Sequence, residues 1–181
     1  YSIYLYHVTY PDNLPVKRVA VFGQPAAQLA PEQLGIQPNT RVQVKWAKSP
    51  ETALYPLGKA FAPPTDDTYH PVNANYADVF TLLGYTQPSK VKPGESAPLI
   101  LYWQVGHNAM PMPAPTKGSP LSAFIHVVDG DPTKQVAQYD GWETALRGLE
   151  PGDVIVQQTD VEIGDQVQPN KYAVLIGLYS P

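Results

Sequence analysis

The chain has 181 residues, of which 43% are hydrophobic and 15% are charged, and its formal net charge is -4. This composition is typical of a folded globular protein rather than a disordered one. With 12 Lys and Arg against 16 Asp and Glu, the chain lacks the excess of positive charge that nucleic-acid binding usually requires. The lack of cysteine excludes disulfides and thiolate metal sites.

Proline is the most unusual residue, with 21 copies that cluster between apolar runs. Because proline removes a backbone donor and fixes φ, these clusters predict turns and loops, and the runs between them predict strands. For the first half of the chain we predict three strands, at residues 1–9, 17–22 and 41–46. We also predict a short helix at residues 26–35 and an extended Pro-rich connection at residues 49–75.

The second half has the stronger strand pattern. Short runs of Val, Ile, Leu, Tyr and Phe alternate with turn signals such as KPGES and EPGD, which combine a proline with a residue that tolerates positive φ. Leu99, Leu101 and Trp103 share one face of such a run, and we expect them to be core residues. The predicted strands are 78–85, 97–105, 121–128, 135–139, 154–161 and 171–179.

These elements predict a mainly all-β fold. We expect an antiparallel β-sandwich of the immunoglobulin-like or jelly-roll-like kind over residues 76–181. A smaller β-rich subdomain with the Pro-rich connection precedes it over residues 1–75. The alternative is that the early strands join the edge of the sandwich.

No catalytic motif is present in the sequence. HExxH, GxSxG, GxGxxG and the phosphate-binding GxxxxGK[ST] are all missing, and the four histidines are scattered singly. We therefore predict no catalytic residues and no enzymatic activity for this chain.

Two groups of side chains are candidates for binding. Trp142 and Tyr139 lie in a turn-rich stretch, and flat aromatic faces of this kind bind carbohydrates or partner proteins; the alternative is that Trp142 plugs one end of the sandwich. Asp129, Asp131 and Asp140 bracket a predicted hairpin and could supply oxygen ligands to a calcium ion. The alternative for these aspartates is that Asp-Gly-Asp-Pro simply forms a tight turn.

An ordered set of motifs resembles the β-sandwich that ends many large bacterial membrane glycosyltransferases of the lipid-linked-sugar mannosyltransferase and arabinosyltransferase group. The set covers about 105 residues and consists of LLGY, PG before LYWQ, FIHVVD, VAQYD, PGDV and a closing GLY. The resemblance implies an extracytoplasmic, membrane-associated accessory domain whose partner is the membrane-embedded part of the same polypeptide, with a glycan acceptor as a ligand. No catalytic residue is carried over from the resemblance, and apart from the calcium alternative we expect no cofactor. The alternative function is a free-standing carbohydrate-binding or adhesion module on the cell surface.

Overall fold

The computed structural model describes residues 14–23, 35–48, 51–109 and 121–179. The strand predicted at residues 1–9 and nearly all of the helix predicted at 26–35 lie outside these ranges. Ten strands are present in the described residues: β1 (Val16–Phe22), β2 (Arg41–Ala47), β3 (Ala53–Tyr55), β4 (Tyr69–Tyr76), β5 (Phe80–Thr86), β6 (Ser96–Val105), β7 (Ser122–Val128), β8 (Gln135–Gly141), β9 (Val154–Glu162) and β10 (Ala173–Tyr179).

The strands form an all-β sandwich with a small ribbon attached. One sheet has the order β3-β9-β6-β5-β4 and the other has the order β10-β7-β8, and every pairing within these two sheets is antiparallel. The ribbon is a parallel pair of β1 and β2. The predicted all-β sandwich is confirmed.

All six strands predicted for the second half are present, with ends that differ by a few residues. The turn residues behave as their chemistry requires, since Gly94, Gly130 and Gly152 all have positive φ. Leu99, Leu101 and Trp103 are 3% exposed or less, so the predicted core face of β6 is confirmed.

The segment 49–75 contains more structure than we expected. We interpreted it as an extended connection, but β3 and most of β4 lie within it and form the two edges of the five-stranded sheet. The five-stranded sheet therefore begins before residue 76, although the early strands that we predicted at 17–22 and 41–46 pair with each other rather than with its edge. The division into two domains stays a prediction.

The ribbon is attached to the sandwich by a buried ion pair and a backbone bridge. Lys45 of β2 is 2% exposed and Asp153 is 1% exposed. The ammonium of Lys45 donates hydrogen bonds to the carboxylate of Asp153 and to Glu150 Oε2, the latter at 3.0 Å. Asp153 also accepts the backbone N–H of Leu57 and that of Glu150, each at 2.8 Å. At its carboxyl end β2 bridges Thr144. These contacts fix the segment that follows β8, which carries part of the site described next.

Candidate functional site

A surface cleft of about 380 Å³ opens along the side of the sandwich, where β9 faces β8. Its wall is formed by Tyr139 of β8, Glu143 after β8, Glu51 before β3, and Gln158, Thr159 and Asp160 of β9. All six side chains can hydrogen-bond.

The cleft exists here because the two sheets meet with polar side chains along this side. On β9 the inward face carries Ile155, Gln157, Thr159 and Val161, as shown by their pairing with the buried positions of β6. Two polar residues thus occupy positions where an apolar side chain would close the gap between the sheets. The result is a polar opening into the edge of the sandwich.

Tyr139 is held in place by its neighbours. Its hydroxyl donates to Glu143 Oε1 at 3.2 Å, and Glu143 Oε2 lies 3.7 Å from Lys48 Nζ. The ring lies over Gly141, where an added Cβ would come within 2.5 Å of the tyrosine oxygen. Glycine at this position therefore leaves the space that the phenol occupies.

The phenol of Tyr139 stays protonated over the whole physiological range. Burial raises its pKa to about 12, and the negative charges of Glu143 and Asp140 add to the effect. Tyr139 therefore presents a hydroxyl that both donates and accepts hydrogen bonds at neutral pH.

Trp142 does not lie on the surface, although its predicted role in binding requires an exposed aromatic face. Its side chain is 9% exposed and packs into the core, with its ring centre 4.8 Å from that of Phe80 and 6.1 Å from that of Trp103. The alternative, that Trp142 fills one end of the sandwich, describes this position. Of the two aromatic candidates, only Tyr139 lines the cleft.

The three aspartates proposed for calcium do not come together. Asp131 Oδ1 accepts the backbone N–H and the hydroxyl of Thr133, which closes the turn after β7 and lowers the pKa of Asp131. Asp129 Oδ1 accepts a long bond from Asn170 Nδ2 at 3.4 Å. Asp140 lies at the other end of β8, opposite Phe124. Within the described ranges, no group of three or more acidic or histidine side chains is arranged to hold a metal ion.

Sequence reasoning missed most of the cleft. Glu51, Gln158, Thr159 and Asp160 were not among the candidates, because Glu51 is far from β9 in the chain. The signal that was available is the run Gln157 to Asp160, four polar residues inside a strand that otherwise alternates toward an apolar core.

No family model, curated protein or solved structure matches this chain. Among the helices of the described residues, none has the length and apolar character needed to cross a membrane.

Proposed function

We propose that this chain is a non-catalytic, extracytoplasmic recognition domain that holds a carbohydrate in the cleft between β8 and β9, as an accessory to a membrane-bound glycosyltransferase. The observation that carries the proposal is that six residues with hydrogen-bonding side chains line one small concave site. Ligand sites are typically about 300 to 1,000 Å³, and the cleft, at about 380 Å³, lies near the lower end of that range.

The chemistry of the cleft matches that of sugar hydroxyls. Each hydroxyl both donates and accepts, so it is bound best where acceptors and donors lie side by side. The carboxylates of Glu51 and Asp160 accept, while the amide of Gln158 and the phenol of Tyr139 do both. Glu143 is already bonded to Tyr139 and paired with Lys48, which gives it a positioning role rather than that of a free acid or base.

The motifs that resemble the glycosyltransferase sandwich have structural roles in this fold. Gly177 of the closing GLY lies under the ring of Phe124, where a Cβ would approach ring carbons within 2.3 Å. Asp153, in the PGD turn, forms the buried ion pair with Lys45. Motifs that build the sandwich in this way support an accessory domain.

A binding screen tests the proposal. The purified 181-residue protein is titrated by calorimetry with a panel of neutral and charged oligosaccharides. We expect saturable binding that Gln158→Ala weakens about twofold to thirteenfold, the loss expected for about 0.5 to 1.5 kcal/mol of hydrogen bonding.

The matched control is Gln138→Ala, the same change at an exposed residue of β8 that does not line the cleft. We expect its affinities to equal those of the wild type. Absence of binding across the panel, or equal losses in the two variants, would contradict the proposed site.

Attachment to a membrane glycosyltransferase is tested by the parent gene. Several hydrophobic spans in the same reading frame as this domain would support the proposed partner. A secretion signal followed only by further β-modules would instead support the free-standing module.

A further inference from the structure

Lys45 and Asp153 form an ion pair in the interior of the protein, where charged side chains are rare. Their side chains are 3% and 1% exposed, and the ammonium of Lys45 bonds Asp153 Oδ2 directly. By contrast, Lys48 pairs with Glu143 from a position where the lysine side chain is 70% exposed. Removing two opposite charges from water is costly, and apolar side chains of similar size often stabilise a core as well or better. The need for a stable core therefore does not explain the lysine at position 45.

A second carboxylate lies beside the buried ammonium. Glu150 Oε2 is 3.0 Å from Lys45 Nζ, and the Glu150 side chain is 25% exposed, so it connects the buried pair to solvent. The hydrogen bond from Lys45 lowers the pKa of Glu150, and Arg18 adds to this effect. Glu150 is therefore a carboxylate at neutral pH and can accept a proton from Nζ.

Two backbone donors fix the carboxyl group of Asp153. Its Oδ1 accepts the N–H of Leu57 and its Oδ2 accepts the N–H of Glu150, each at 2.8 Å. A backbone N–H that points at a carbonyl oxygen stabilises the negative charge that develops there when a nucleophile adds to the carbon. An amine, a carboxyl group, a proton acceptor and a donor to the developing charge thus lie together in one buried site.

We propose that Lys45 and Asp153 join in an intramolecular isopeptide bond, an amide between the two side chains, and that Glu150 carries the proton for this step. The pair first shifts one proton from Nζ to Oδ2 along its hydrogen bond, which leaves a neutral amine and a neutral acid. Burial favours this form, because it removes both charges from a site that water does not reach.

The condensation then proceeds with no co-reactant. Lys45 Nζ adds to Cγ of Asp153, and the negative charge forms on Oδ1 against the N–H of Leu57. Glu150 Oε2 takes one proton from Nζ and gives it to Oδ2. The bond between Cγ and Oδ2 breaks, one water leaves, and the carbonyl forms again at Oδ1. Nothing is oxidised or reduced.

The fold supplies the proximity that this reaction needs. Reacting groups held in the right orientation behave as if one were present at about 10⁵ to 10⁸ M. Exclusion of water from the site also removes the reactant that would reverse the condensation.

The bond links β2 to the turn before β9, at positions that are 108 residues apart in the chain. A cross-link over such a distance restricts the unfolded chain, as a disulfide does, and this protein has no cysteine with which to form a disulfide. The bond holds the ribbon of β1 and β2 on the sandwich, and it is independent of what the cleft binds.

Mass spectrometry of the intact protein under denaturing conditions tests the bond. We expect a mass below that of the 181-residue sequence by about 18 Da, the mass of one water. After digestion with trypsin, residues 42–48 and 148–171 should appear as one branched peptide, because trypsin does not cleave after an acylated lysine. The full sequence mass for the folded wild type would overturn the proposal.

Loss of water at another position would give the same mass, since the Asp-Gly pairs at 129–130 and 140–141 can each cyclise. Lys45→Met should therefore have the full mass of its own sequence, whereas the matched control Lys48→Met should still lose one water. A loss of water that persists in Lys45→Met would overturn the proposal. Two separate tryptic peptides from the wild type would do the same, and this result does not depend on whether Lys45→Met folds.

Glu150→Gln tests the proton carrier, because it removes the acceptor and keeps the shape of the side chain. We expect this variant to be mostly uncross-linked when purified and to gain the branched peptide about 100-fold more slowly than the wild type. Circular dichroism establishes that the variant is folded. A folded Glu150→Gln protein that is fully cross-linked when purified would overturn the role of Glu150.

Discussion

Trp142 shows how burial decides the role of a single aromatic residue. Its ring packs between Phe80 and the other core tryptophan, Trp103, and its indole N–H has no partner among the described residues. We therefore expect Trp142→Ala to lower the free energy of unfolding by about 3 to 5 kcal/mol, as for Trp103→Ala.

Urea unfolding monitored by circular dichroism measures this loss. Trp142→Phe is the matched variant, and it should cost much less because it keeps a ring and removes an unpaired donor. A loss below about 1 kcal/mol for Trp142→Ala would contradict the core position.

Tyr139 gives a pH prediction. Its pKa is raised from the usual value to about 12, so the folded state favours the neutral phenol. The contribution of Tyr139 to the free energy of unfolding is fully present below the unfolded-state pKa of about 10. It is lost as the pH rises from there toward about 12.

Ultraviolet titration of the wild type against Tyr139→Phe measures this ionisation. The difference between the two curves should contain one phenol that ionises near pH 12. A difference curve centred near the ordinary tyrosine value would show that burial and Glu143 do not act on this group as described.

At the scale of elements, the contact between β2 and the segment after β8 depends on Gly148. Its φ is +89°, and an added Cβ would meet the carbonyl oxygen of Val44 at 2.2 Å. Gly130 also has positive φ, at +65°, but an added Cβ there has open space.

Gly130→Ala should lower the free energy of unfolding by about 1 to 2 kcal/mol, because only the strain of the left-handed backbone opposes it. Gly148→Ala should exceed it by about 1 kcal/mol or more, because β2 must shift as well. Thermal unfolding of the two variants side by side checks this. Equal losses would mean that β2 does not pack closely on this turn.

The same junction contains the buried ion pair of Lys45 and Asp153. Lys45→Met leaves a buried carboxylate without its cation and should cost about 3 to 5 kcal/mol. The double variant Lys45→Met with Asp153→Asn should recover part of this loss, since the unpaired charge is removed while an oxygen still accepts the N–H of Leu57. Urea unfolding of Lys45→Met, of Asp153→Asn and of the double variant measures the coupling, and strictly additive losses would contradict it.

At the scale of the whole molecule, the sequence predicted the strands that carry strong alternation and failed where local signals conflict. Leu99, Leu101 and Trp103 have a period of two and clear turns on either side, so their strand was predictable. β4 was missed because Pro71 lies inside it, and this is tolerated because β4 is an edge strand whose register shifts between Pro71 and Ala74.

The cleft could be predicted only in part, for a reason that also applies to Trp142. Tyr139 was found from its residue type and its neighbourhood in a turn-rich stretch. Glu51 and Gln158 are brought together by the pairing of β3 with β9, which no local pattern reports. Likewise, the burial of Trp142 depends on Phe80, more than sixty residues earlier in the chain.

The central claim is that the cleft between β8 and β9 is the recognition site. The most direct measurement is to map amide chemical-shift changes in the isotopically labelled protein on addition of the oligosaccharides used in the calorimetric screen. The account predicts changes concentrated at Tyr139, Glu143, Gln158, Thr159 and Asp160. Saturable changes centred elsewhere, for example around Phe124 on the other face of the three-stranded sheet, would contradict it.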